Sequence, residues 1–146
     1  MARKYNQGIY KPMNPKKYKG DPTKIVYRSG LEFRFMRYLD TTESVVSWSS
    51  EEMTVPYISP IDGKRHRYFP DFQMEVLDKD KKRKKYLIEV KPDSQCRPPK
   101  PQKKPTKGYI YEVQEWGKNS AKWEAAKKWC ASHDYTFQIL TEKDLT

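Results

Sequence analysis

Two short alternating segments carry the residues best suited to chemistry. In Phe69-Pro70-Asp71-Phe72-Gln73-Met74-Glu75-Val76, the apolar Phe72, Met74 and Val76 share one face, while Asp71, Gln73 and Glu75 share the other. In Tyr86-Leu87-Ile88-Glu89-Val90-Lys91, Tyr86, Ile88 and Val90 point one way and Leu87, Glu89 and Lys91 the other. Antiparallel pairing of the two brings Asp71 to the Glu89–Lys91 end. Two carboxylates facing each other there repel unless a cation lies between them. Mg²⁺ takes oxygen ligands in octahedral geometry and retains several waters. Asp71 and Glu89 would supply the carboxylates, and the backbone carbonyl of Val90 a third oxygen. Such an ion acidifies a bound water and polarises a phosphate. Lys91 would then orient that water and stabilise charge growing on the phosphoryl oxygens. Residues of these types, so placed, suit phosphodiester hydrolysis.

The surrounding elements must hold that pair of strands. Ser29-Gly30-Leu31-Glu32 matches a capping box, Ser followed by Glu three residues on. Leu31, Phe35, Tyr38 and Leu39 then recur at helical spacing, which predicts a helix over 29–40. Met53–Ser59 and Arg67–Leu77 read as strands, with Asp62-Gly63 as the turn between them. The charged stretch Asp78–Lys85 reads as a solvated connection to a third strand, Tyr86–Lys91. Pro92, Pro98, Pro99, Pro101 and Pro105 then exclude residues 92–108 from any sheet or helix interior. Tyr109–Trp116 is ambiguous between helix and strand. Asn119 or Ser120 caps a helix to about Ser132, with Trp123 and Trp129 as core residues, and Tyr135–Leu140 is a last strand. The order helix, three strands, helix, strand predicts an α/β domain with a mixed sheet flanked by helices.

Composition narrows the partners. The chain has 146 residues and a formal net charge of +11, from 30 Lys and Arg against 19 Asp and Glu. That balance favours a polyanion, nucleic acid before a membrane surface. Residues 1–24 hold seven Lys or Arg against the single acid Asp21, with Tyr5, Tyr10 and Tyr18 set among prolines and glycines. They read as a basic extended arm, with residues 25–146 as the domain and 92–108 as a Pro- and Lys-rich insertion loop. No apolar run approaches the ~20 residues of a membrane span, and no signal-peptide core stands at the N-terminus. Cys96 and Cys130 form no close pair and, with His66 and His133, lack zinc-site spacing. No Ser-His-Asp set, P-loop or dinucleotide glycine motif is present.

Pro70-Asp71 followed by Glu89-Val90-Lys91, with seventeen residues between the two acids, resembles the PD-(D/E)xK nuclease superfamily. Tyr27–Glu32, Arg67–Phe72, Leu87–Pro92, Lys122–Ala126 and Ile139–Leu145 together resemble the head completion nucleases of T-even-type tailed phages. There is a more distant likeness to the endonuclease subunit of certain bacterial transposases. The resemblance implies a restriction-endonuclease-like fold and Mg²⁺-dependent DNA cleavage, with Mn²⁺ as the expected substitute. It also implies action on filled heads before tails join, in the host cytoplasm, with retention in the virion left open and portal or neck proteins as partners. Family members carry a further acid on the upstream helix, which maps onto Glu32; a helix cap alone is the competing role for that residue. The alternative function is a basic DNA- or portal-binding assembly protein without essential catalysis.

Overall fold

The computed structural model describes residues 7–145; residues 1–6, including Tyr5 of the arm, and Thr146 lie outside the described residues. The elements are β1 (Gly8–Ile9), β2 (Val26–Tyr27), α1 (Gly30–Thr41), β3 (Val45–Ser50), β4 (Val55–Ile58), β5 (Arg65–Tyr68), β6 (Phe72–Leu77), β7 (Arg83–Val90), α2 (Lys107–His133) and β8 (Thr136–Leu140). Short 3-10 turns stand at Pro15–Lys17, Asp93–Cys96 and Glu142–Leu145. β3, β6, β7 and β8 form one sheet in that spatial order. The first three pair antiparallel, and β8 joins β7 in parallel. A parallel neighbour needs a long crossover, which α2 provides.

This mixed α/β sheet follows the expected order of helix, three strands, helix, strand, but its first strand is a different one. β3 was missed because Val45-Val46-Ser47-Trp48-Ser49-Ser50 buries Ser47 and Ser49, so polarity does not alternate with exposure. The Ser49 hydroxyl meets its need by donating to Gln73 Oε1 at 3.1 Å. The expected first strand is β4, which pairs with β5 in a separate hairpin through the Asp62-Gly63 turn. There Gly63 takes a φ of 69°, a conformation that favours glycine. The single strand expected over 67–77 breaks into β5 and β6 at buried Pro70, which has no N–H for a ladder.

The two faces of the sheet carry two cores. On one, Phe72, Met74, Ile88 and Val90 pack with Val45, Trp48 and the buried stripe Phe35, Met36 and Leu39 of α1. On the other, Leu87 packs with Val55, Tyr57 and Tyr68 of the hairpin and with Trp123, Ala126 and Cys130 of α2. Tyr38, expected on the apolar stripe of α1, is 46% exposed. Residues 7–24 build no core among themselves; Tyr10 and Tyr18 are buried in the first core, both against Trp48.

α2 runs unbroken from a Thr106 cap, which accepts from the Tyr109 N–H, through the residues expected to start a helix at 119 or 120. Its C-terminus ends on Asp134 at a φ of 61°, and His133 stacks on Trp129 while bonding the Trp129 carbonyl at 2.8 Å. Among the described residues no helix is long and apolar enough to cross a membrane.

Candidate active site

The register of β6 and β7 brings the acids together. Phe72 pairs with Ile88, so Asp71, one residue before Phe72, and Glu89, one after Ile88, lie at the same end of the β6–β7 ladder. Pro70 ends the ladder there and lets Asp71 turn back over β7. Its Oδ2 accepts the Val90 N–H at 2.8 Å. Glu89 is buried, and its Oε1 accepts the hydroxyl proton of buried Tyr68. Lys91 Nζ stands 3.7 Å from Glu89 Oε2, and the Lys91 N–H is tied to the Leu140 carbonyl at 2.9 Å. Each carboxylate is therefore pinned through one oxygen by a protein donor.

Charge at this end is under-compensated. Burial, and then the Glu89 carboxylate, push the Asp71 carboxyl well above its ordinary value; the Val90 N–H and Lys91 oppose them. Burial also raises Glu89, against Tyr68, Lys91 and Lys122. Two acids so placed either hold a proton or attract a cation. Among the described residues no three His, Cys, Asp or Glu side chains gather to hold a metal ion. Cys96 and Cys130 are both free. A donor set of two carboxylates suits a hard cation that keeps its waters, as Mg²⁺ does.

Glu32 lies within electrostatic reach of both acids and is raised chiefly by burial. The Glu32 N–H donates to Ser29 Oγ at 3.1 Å, as in a capping box, but its carboxylate accepts from Arg28 N–H, one residue ahead of the cap, at 3.1 Å. Cap and site neighbour are both observed for this residue. Arg28 pairs with Glu51. Gln73 and Glu75, placed by alternation on the polar face, are both buried.

Sequence reading missed Tyr68 and Lys122. Tyr68 was visible only as part of the Arg67–Phe72 stretch. Lys122 sits half-buried on α2, with Nζ 5.6 Å from the Tyr68 ring centre and 5.9 Å from that of Tyr57. Beside the site, the Pro-rich segment folds against α2. Gln95, Arg97 and Pro99 face Tyr111, Trp116 and Asn119 across an open groove of about 490 Å³ that Lys91 also lines.

The mixed sheet thus presents two acids and a lysine at one strand end, and the sequence places the chain in a family. Residues 42–142 match the TnsA-like endonuclease N-terminal family. The chain belongs to this family and has its restriction-endonuclease-like fold. It is also 38% identical over 142 residues to the head completion nuclease of Enterobacteria phage T4, covering 94% of this chain and 92% of that protein. No solved structure matches the chain significantly.

Proposed function

We propose that this protein is a divalent-metal-dependent DNA endonuclease that acts in phage head completion, before heads and tails join. The observation that carries the reading is the Asp71–Glu89 pair, Glu89 buried and Asp71 partly buried, each held by a hydrogen-bond donor beside Lys91. Family membership and the name of the T4 relative support it. Asp71 and Glu89, with the Val90 carbonyl, would hold Mg²⁺, or Mn²⁺ in its place. The bound ion supplies an acidified water and a Lewis acid for the phosphate. Lys91 stabilises charge on the phosphoryl oxygens, Tyr68 keeps Glu89 oriented, and Glu32 helps position water. The excess of basic residues brings in the DNA backbone. Action in the host cytoplasm and contact with portal or neck proteins belong to the same proposal.

The test is cleavage of supercoiled plasmid in Mg²⁺ or EDTA, beside Asp71→Asn prepared identically. Nicking or linearisation in Mg²⁺ alone is expected, reduced roughly a thousandfold in the variant, as losing several kcal/mol of metal-derived stabilisation implies. DNA binding should survive. Wild-type protein that binds DNA but cuts nothing in Mg²⁺ or Mn²⁺ would favour the non-catalytic assembly protein.

A further inference from the structure

Lys122 differs from its neighbours Lys118 and Lys127 on α2. Lys118 and Lys127 each pair with an acid one turn earlier, Glu115 at 3.0 Å and Glu124 at 3.8 Å. Lys122 has no carboxylate within ion-pair distance among the described residues, although its charge reaches Glu89. Its ammonium is seated instead over Tyr68 of β5 and Tyr57 of β4. The next residue, Trp123, is buried and fixes that face of α2 inward. Holding an ammonium half out of water is costly, and burial accordingly pushes Lys122 below the ordinary lysine value, with Lys118 and Lys91 adding to the effect.

The position gives this cost a use. Tyr68, whose ring lies beneath the ammonium, is the residue whose hydroxyl holds Glu89 Oε1, while Lys91 approaches Glu89 Oε2. The charges of Lys91 and Lys122 thus both act on one carboxylate. The aromatic seat attracts the ammonium electrostatically and keeps it off the acids. An ammonium has three donors and no acceptor, so it lacks an anion. A phosphodiester oxygen matches that need through a charge-assisted hydrogen bond.

We propose that Lys122 is a second phosphate-binding residue of the site. Its ammonium contacts a non-bridging oxygen of the strand being cut, at the scissile phosphate or an immediate neighbour. This rests on the nuclease reading above and adds to it a DNA contact on α2. The aromatic seat holds the side chain extended over the hairpin before DNA arrives, which limits the entropy lost on binding.

The experiment uses the full chain in Mg²⁺ on end-labelled duplexes with one neutral methylphosphonate stepped through successive positions. Lys122→Met keeps the apolar stem over the rings, and Lys122→Arg keeps the charge. Lys122→Met should lower kcat/KM about tenfold, the scale of one charged hydrogen bond. In wild type, one methylphosphonate position at or next to the cut should cost a similar factor. In Lys122→Met that same substitution should cost nothing further, and Lys122→Arg should restore the wild-type pattern. Penalties that multiply at every position would assign Lys122 a merely structural role and overturn the inference, as would Lys122→Met cutting at the wild-type rate. Absence of wild-type cleavage would instead overturn the nuclease reading itself.

Discussion

Glu75 and Asp71 stand four residues apart on the same polar face, and their surroundings are opposite. Glu75 accepts from Lys19 Nζ at 2.6 Å and from Arg83 at 3.1 Å, and the Lys19 hydrogen bond first of all holds its carboxyl below the ordinary range. Asp71 has one backbone donor and faces a second acid, and its carboxyl lies well above that range. Asp40, fully buried near the end of α1, extends the contrast: Tyr10 Oη donates to it at 2.6 Å, Met13 N–H at 2.7 Å and Asn14 N–H at 3.0 Å. Burial therefore does not separate the proposed working carboxylate from a structural one. The supply of donors does: three at Asp40 and two cationic ones at Glu75, but a single backbone N–H at Asp71.

Removing the best-supplied acid should have the largest effect on stability. Asp40→Ala leaves three donors without their acceptor and weakens the tie of the 10–14 segment to α1, although Asn14 Nδ2 keeps its bond to the backbone carbonyl of residue 40. The expected loss is about 3 kcal/mol in urea unfolding, since each stranded donor costs on the order of 1–3 kcal/mol and some recover water. The protein that remains folded should still cut plasmid at the wild-type rate. A stability loss as small as about 0.5 kcal/mol, typical of a plain surface change, would break the comparison, because Asp40 would then be no better anchored than an exposed acid.

The next effect tests the poorly supplied end. Tyr68→Phe removes the Glu89 donor without emptying the core. Groups that orient a metal ligand typically cost 10–100-fold in metal affinity or activity when lost. A Mg²⁺ titration of plasmid cleavage should therefore show a half-saturating concentration raised about tenfold, with unfolding stability changed by no more than about 1 kcal/mol. An unchanged titration curve would mean that Glu89 needs no help in facing the ion, and the contrast with Asp40 would lose one of its terms.

What the sequence disclosed of this arrangement was local. Alternation places Asp71, Glu89 and Lys91 on one face, and antiparallel pairing brings them to one end; neither step needs the rest of the chain. Ser29 and Glu32 were legible as a cap for the same reason, whereas the nearness of Glu32 to Asp71 depends on how α1 packs on the sheet. Tyr68 and Lys122 meet through contacts between the hairpin and α2, which no spacing encodes. β3 was hidden by its buried serines. α2 was divided in the reading because Gly117-Lys118-Asn119-Ser120 resembles a break; tertiary contacts override it, with the Trp116 and Trp123 rings packed 5.9 Å apart across that stretch and the Glu115–Lys118 pair spanning its start. The Tyr10–Asp40 bond joins residues thirty positions apart, beyond any local signal.

The smallest effect separates the two regions by sign. Glu75, with its carboxyl lowered, contributes stability that is full above the ordinary carboxylate value and lost as pH falls through the lowered one. Because Lys19 and Arg83 are themselves more than half exposed, Glu75→Gln should cost about 1 kcal/mol or less at neutral pH. That cost should shrink on acidification. Asp71, with its carboxyl raised, acts the other way when divalent ions are absent: its contribution is present at low pH and lost as pH rises from the ordinary carboxylate value through the raised one. Asp71→Asn in EDTA should therefore become progressively less destabilising, or more stabilising, as pH increases. Urea unfolding of both variants against wild type across that range should give difference curves of opposite slope. Curves sloping the same way would show that Asp71 is compensated in the resting protein as Glu75 is, and the shortage of charge on which the proposed metal site rests would be gone.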